Sequence, residues 1–239
     1  MSLLEVEDLR TGYGSLPVLQ GISMSVEEGE TAVIFGLNGA GKTTTVNAIA
    51  GLLPIWAGDI RLDGRSLKGL DAPKIVEAGV GLSPEGRRVF PALTVLTNLR
   101  LGAWTRKKGG RKAIDDTIER VFSYFPRLEE RKDQLAGTMS GGQQQMLAIG
   151  RAIMSRPRLL LIDEASLGLS PKLAQTVFQV VSQINDDGTT VVIVEQNVGV
   201  LPYADQALIM EKGTLTFDGR GADLERSGDL RRTYLGDTA

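Results

Sequence analysis

Residues 4–9 and 18–26 alternate apolar and polar side chains at close to period two, the pattern of strands that bury one face. Glu27, Glu28, Gly29 and Glu30 supply a turn into Thr31-Ala32-Val33-Ile34-Phe35, where the alternation stops. A short run without a polar face reads as a strand covered on both sides, as in a parallel sheet. Helical character follows over 42–50 and is stopped by Gly51-Leu52-Leu53-Pro54, and 60–65 read as a further strand and turn. Between 84 and 156 strands give way to helical stretches at 94–101, 113–125 and 141–154. Strands return at 159–162 and 189–194, separated by a helix at 172–184, and such alternation implies right-handed crossovers within a parallel sheet. Residues 207–217 carry a hairpin signal, and the tail from 220 reads as helical.

The predicted fold class is therefore α/β: a mainly parallel sheet flanked by helices, with an antiparallel β subdomain and an inserted helical subdomain. One domain is expected over 1–239. Its core is formed by 1–83, which include the β subdomain, and by 157–239, with 84–156 as the helical insertion.

Composition narrows the chemistry. With 239 residues, 42% of them hydrophobic and 23% charged, the chain can bury a core without covalent staples. It has no Cys and no His, which excludes disulfides, cysteine nucleophiles, imidazole bases and the common zinc ligand sets. Acid and base work must fall to carboxylates, Lys, Tyr or water. A net charge of -2 gives no bulk attraction to polyanions, so no nucleic-acid partner is expected. The basic stretch from Arg106 to Lys112 is the local exception and reads as a solvated loop. No run reaches the roughly 18 apolar residues of a spanning helix, and the first residues lack the regions of a signal peptide, so a cytoplasmic location is expected.

The segment Gly36-Leu37-Asn38-Gly39-Ala40-Gly41-Lys42-Thr43-Thr44 fits G-x-x-x-x-G-K-[ST], after a buried strand and at the start of a helix. Its glycines let successive backbone N–H groups turn inward as an anion nest, while the helix presents its positive end to phosphates. Lys42 would reach the β and γ phosphates, and the Thr43 hydroxyl would ligate Mg²⁺. Further along, Leu159-Leu160-Leu161-Ile162 ends in Asp163-Glu164, at the carboxyl edge of a parallel sheet where ligands bind. Asp163 suits a Mg²⁺ partner, and Glu164 is placed to polarise an attacking water.

At Ser140-Gly141-Gly142-Gln143-Gln144, with Arg151-Ala152 and Asp163-Glu164 following, the sequence resembles the signature of ABC-type ATPases along nearly its whole length. The resemblance implies a P-loop NTPase core. It also implies ATP held between the P-loop of one subunit and the Ser140 signature of a second, identical or homologous, ATP-binding subunit. A helix that opens with Ser140, Gly141, Gly142 and Gln143 offers a hydroxyl, N–H groups and a dipole end to a γ-phosphate. Tyr13, in Arg10-Thr11-Gly12-Tyr13-Gly14, matches the aromatic position that stacks on adenine. Three positions depart from the family pattern. Glu85 stands where glutamine is usual, Ser170 where aspartate is usual, and Gln196 where histidine is usual. Gln196 can donate an amide hydrogen bond but cannot carry a charge, which leaves water activation to Glu164. Glu85 keeps two readings, a ligand of Mg²⁺ or water and a partner contact.

The runs Pro84 to Pro91, Ser166 to Pro171 and Val194 to Asn197 resemble those of the smaller ATPase subunit of high-affinity branched-chain amino-acid importers. That resemblance implies transmembrane permease subunits as partners and a peripheral place on the inner face of the membrane. A soluble ABC-type ATPase, or a subunit importing another solute, is the alternative.

Overall fold

The computed structural model describes residues 2–106 and 110–227. Among the described residues ten strands and eight α-helices follow one another. The first part comprises β1 (Ser2–Tyr13), β2 (Leu16–Glu27), β3 (Thr31–Phe35), α1 (Lys42–Ile49), β4 (Ala57–Leu62), β5 (Arg65–Ser66), α2 (Ala72–Ala78) and β6 (Val80–Ser83). Helices α3 (Val95–Gly102), α4 (Gly110–Tyr124), α5 (Pro126–Glu129) and α6 (Gly141–Ile153) come next. The chain then runs through β7 (Leu159–Asp163), α7 (Pro171–Asp186), β8 (Thr190–Glu195), β9 (Gln206–Glu211), β10 (Thr214–Arg220) and α8 (Gly221–Ser227).

Two sheets organise these elements. The larger has the order β10-β9-β3-β8-β7-β6 and is parallel throughout except where β10 returns antiparallel to β9. Every residue of β3, β7 and β8 is buried. Their side chains still alternate, but between two cores rather than between core and water. Val33, Phe35, Leu160, Ile162, Val191 and Ile193 pack with the helices of one layer. Ala32, Ile34, Leu159, Leu161, Val192 and Val194 face the other side, toward β1, β2 and α1. The second sheet, β2-β1-β4-β5, is antiparallel, and its strands carry the polar–apolar alternation of a surface with one wet face.

The two sheets are tied beside the candidate site by the β9–β10 turn. Gly213 donates to the Ala40 carbonyl at 2.8 Å and accepts from the Gln20 N–H at 2.9 Å. With φ at +82°, and with Val18 O only 1.9 Å from where a Cβ would stand, that position requires glycine.

The sequence pattern did not predict α2, β6 or α5. Strand β6 is four residues long and contains Gly81, and α2 is seven residues long, so neither displays enough periodicity to be read. The solvated-loop reading of the basic stretch is corrected at Arg106. Its guanidinium donates to Thr117 Oγ1 at 2.9 Å, Ala113 O at 3.0 Å and Met154 O at 3.3 Å, joining the start of α4 to the end of α6. Residues 107–109 of that stretch, and the tail beyond 227, lie outside the described residues. Among the described residues no helix is long and apolar enough to cross a membrane.

Candidate functional site

Strand β3 ends at Phe35 and α1 begins at Lys42, so residues 36–41 form the loop between a fully buried strand and a helix N-terminus. Gly41 caps α1 at φ 113°, and a Cβ there would lie 2.9 Å from Leu19 Cδ2 and 3.1 Å from Met210 Sδ. The left-handed residue turns the loop sharply onto the helix, leaving the first α1 N–H groups without a side-chain cap and open to an anion.

Lys42 is buried, and its ammonium donates to Gly36 O at 2.7 Å and Leu37 O at 3.2 Å, with Glu164 Oε1 3.9 Å away. Burial pulls its pKa down, against the opposing pull of Glu164, Asp163, Glu195 and Glu85. Thr43 Oγ1 donates to Asp163 Oδ1 at 3.2 Å. Burial pushes the Asp163 carboxyl up to about 6; the Thr43 hydrogen bond and Lys42 oppose the shift, and the charges of Glu85 and Glu164 reinforce it.

Glu164 follows the last residue of β7 with φ at 51°, an uncommon conformation for a side chain of this size. Its N–H donates to Val194 O at 2.9 Å, which carries the sheet ladder past the strand end and fixes the residue over the loop. The Gln196 amide donates to Glu164 Oε1 at 2.7 Å and to Asn38 Oδ1 at 2.8 Å. One glutamine thus links the end of β8, the acid after β7 and the loop after β3.

These residues surround a cavity of 320 Å³ lined by Tyr13, Asn38, Gly39, Gly41, Lys42, Thr43, Thr44, Glu85 and Glu164, together with Val18. Tyr13 stands half exposed at the end of β1, and Glu85 lies exposed just beyond β6. None of Ser140, Gly141, Gly142 and Gln143 lines that cavity. They open α6 instead. Ser140 Oγ accepts from the Gln143 N–H at 3.4 Å, and the Gln143 side chain accepts from the Ser140 N–H at 3.1 Å, forming a reciprocal cap. The plain capping role and the exposed helix end coexist in the same four residues, because the cap leaves the Gly141 and Gly142 N–H groups uncommitted.

A sequence family described as ABC transporter matches residues 19–167. The chain belongs to that family. It is 42% identical to the high-affinity branched-chain amino acid transport ATP-binding protein BraG of Pseudomonas aeruginosa, over 98% of this chain and 100% of the relative. It is 32% identical to the probable branched-chain amino acid transport ATP-binding protein LivF of Archaeoglobus fulgidus, over 98% of this chain and 99% of that one. The structure resembles the crystal structure of the ADP conformation of MJ1267, an ATP-binding cassette of an ABC transporter. That match has a TM-score of 0.85 and 26% identity, covering 99% of this chain and 100% of the other. The fold is that of an ABC ATPase cassette, and the protein is an ATP-binding ATPase of this family.

Within this ABC cassette the oxygen set suits Mg²⁺. The Thr43 hydroxyl and the Asp163 carboxylate are hard donors within 3.2 Å of each other. Among the described residues no group of three or more His, Cys, Asp or Glu could close a metal cage. Mg²⁺ takes one or two protein oxygens and keeps water and phosphate ligands, so two donors beside a phosphate loop match it. Glu85 sits at the cavity but acts on Asp163 and Lys42 through its charge rather than through a hydrogen bond to either. Ser170 caps α7 by its backbone, without a side-chain hydrogen bond to the helix.

Sequence reasoning passed over Glu195, quoted within the run 194–197 but given no role. It is buried at the end of β8 and accepts from four donors: Ser166 N at 2.8 Å, Ser166 Oγ at 2.9 Å, Gln196 N at 3.2 Å and Asn197 N at 3.3 Å. Burial raises its pKa, and those hydrogen bonds oppose the rise. The signal was present: an acid placed directly after the all-apolar run Val191-Val192-Ile193-Val194 has no solvent to face. Asn38, the acceptor for Gln196, was counted only as part of the phosphate loop.

Proposed function

We propose that two ATP-binding subunits enclose ATP between the 36–44 loop of one and the Ser140–Gln143 helix end of the other, and that the closure drives a branched-chain amino-acid permease. The observation that carries this reading is the division of the site. Tyr13, Lys42, Thr43 and Glu164 share one cavity, whereas the second phosphate-type helix end opens elsewhere on the same chain. A γ-phosphate contacted by both needs two subunits.

In this reading Tyr13 stacks on adenine, and the N–H groups of residues 36–44 together with Lys42 hold the phosphates. Thr43 and Asp163 hold Mg²⁺, which would neutralise phosphate charge when bound. Glu164 orients the attacking water, and Gln196 keeps that carboxylate aimed while sensing the γ-phosphate. Glu85 is assigned to water at the rim of the metal site, as it is exposed and makes no hydrogen bond to Asp163.

Residues 84–156 act as the helical subdomain that receives the permease. Beside them lies a groove of 390 Å³ walled by Leu82, Phe90, Leu101, Trp104 and Arg151, in which Trp104 is 84% exposed. The Arg151 guanidinium stacks over the Phe90 ring at 5.1 Å and donates to Arg88 O at 2.6 Å, which stiffens the groove wall. The subunit would then work from the inner face of the cell membrane. The names of BraG and LivF support branched-chain amino acids as the solute.

One experiment tests both halves. The Glu164→Gln variant, affinity-purified from solubilised membranes, is expected as an ATP-bound dimer with integral-membrane subunits attached and turnover lowered by about a hundredfold or more. Near-normal turnover overturns the role of Glu164. Absence of membrane subunits overturns the transporter reading.

A further inference from the structure

We propose that Glu195 is a positioning residue for hydrolysis, a buried carboxylate that locks the segment after Glu164 to the segment containing Gln196. This rests on the reading of Glu164 and Gln196 as the pair that orients water. The two side chains meet at 2.7 Å, yet they come from different chain segments, one leaving β7 and the other leaving β8. Beyond the bond from the Glu164 N–H to Val194 O the ladder stops, and a cavity of 290 Å³ opens between the segments, lined by Glu164, Ser166, Leu167, Glu195, Gln196 and Asn197.

Glu195 bridges this opening at its root. Oε1 accepts from the Ser166 N–H, and Oε2 accepts from the Ser166 hydroxyl and from the Gln196 and Asn197 N–H groups. A carboxylate suits this place because it has four acceptor sites and no donor. Four donors from two segments converge on it, and an amide would turn N–H groups against some of them. The charge is costly to bury, and no cation is needed to hold it where the hydrogen bonds are this many. An apolar residue at the end of β8 would be less costly for folding alone. What the acid adds is a fixed relation between the backbones of Ser166, two residues after Glu164, and Gln196. Glu164 needs that support, since its left-handed backbone is unfavourable without neighbours that over-determine it.

The test compares Glu195→Gln, Ser166→Ala, their double variant and Glu164→Gln. For Glu195→Gln, kcat is expected to fall by about tenfold to a hundredfold, the loss that small misplacement of reacting groups produces. ATP affinity, measured without turnover, stays within about twofold, and Tm shifts by no more than about a few degrees, because the relief of a buried charge offsets the donors that the amide leaves unpaired. Ser166→Ala removes one of the four bonds and lowers kcat less. The double variant is no worse than Glu195→Gln, because both act through one clamp. Unchanged kcat in Glu195→Gln overturns the proposal. So does a parallel loss of ATP affinity and Tm, which marks a purely structural residue. If Glu195→Gln does not fold, Ser166→Ala carries the test, and an unchanged kcat there overturns the proposal. Near-normal turnover by Glu164→Gln would instead overturn the underlying assignment, so the two failures are distinguishable.

Discussion

At the residue scale the site is a set of groups held against their solution preferences. Asp163 shows the sign of that tension. Its folded pKa of about 6 lies above the roughly 3.9 of an unfolded aspartate, so the folded protein binds the proton more tightly. The stability contributed by the protonated form is fully present below about pH 4 and is lost as pH rises through about 6. At pH 8 without nucleotide, the charged carboxylate therefore weakens the fold by about 2 to 3 kcal/mol. Asp163→Asn removes the charge and keeps an oxygen for the Thr43 hydroxyl. It is expected to melt about 5 °C or more above the parent at pH 8, with the gain shrinking toward pH 4. Thermal scans at both pH values measure this, and a gain that is independent of pH overturns it. The same variant should lose Mg²⁺-dependent ATP hydrolysis, because the group that weakens the empty fold is the one assigned to the metal.

At the element scale the decisive feature is how α6 begins. The Ser140–Gln143 cap secures the helix with Ser140 exposed and Gly141 half-buried at its opening, while the cap takes neither the Gly141 nor the Gly142 N–H. Gly141→Asp separates the two roles. A Cβ at Gly141 would stand 2.7 Å from the Arg87 guanidinium, the mobile end of a long side chain that can move aside, and an acid in the first turn favours the helix by roughly 0.3 to 1 kcal/mol, so folding should not suffer. The same charge would meet the γ-phosphate of a nucleotide held by a second subunit. Expected are an unchanged Tm, ATP binding within about twofold of the parent and turnover lowered by about a hundredfold; retained turnover would show that this helix end does not face phosphate. Elements long enough to show a period, such as β1, β2, α6 and α7, were legible in the sequence, and so was the loop after β3, whose glycine spacing is itself the mechanism. Short β6 and α2 were not, because tertiary pairing to β7 defines the strand rather than any pattern of its own. The Glu164–Gln196–Asn38 bridge was only partly legible. The sequence named all three residues but could not show that a strand end and a loop converge on one amide.

At the scale of the whole molecule, a chain with two phosphate-directed ends and only one of them at its cavity should behave as two half-sites. Each nucleotide then needs Lys42 from one copy and the Ser140 helix end from the other, an arrangement that two-fold symmetry repeats twice. This can be tested by mixing two inactive variants. Lys42→Ala destroys the loop but leaves α6 intact, and Gly141→Asp does the reverse. Each alone forms dimers with no complete site. In a mixed dimer, the intact loop of the Gly141→Asp subunit meets the intact helix end of the Lys42→Ala subunit, so one site of two is whole. Random pairing makes half the dimers mixed, and recovery of about a quarter of parental ATPase activity is expected from equimolar mixing if the sites work independently. The assay follows phosphate release as the variants are titrated against each other, and activity should peak at the equimolar point. Recovery near zero, from subunits shown by light scattering to exchange and to pair, would mean that both ends serve the same nucleotide within one chain or that neither site turns over alone. Mixing the parent with the double variant Lys42→Ala/Gly141→Asp separates these: sites confined to one chain keep about half of the parental activity, whereas shared sites keep about a quarter, because only parent–parent dimers are then whole.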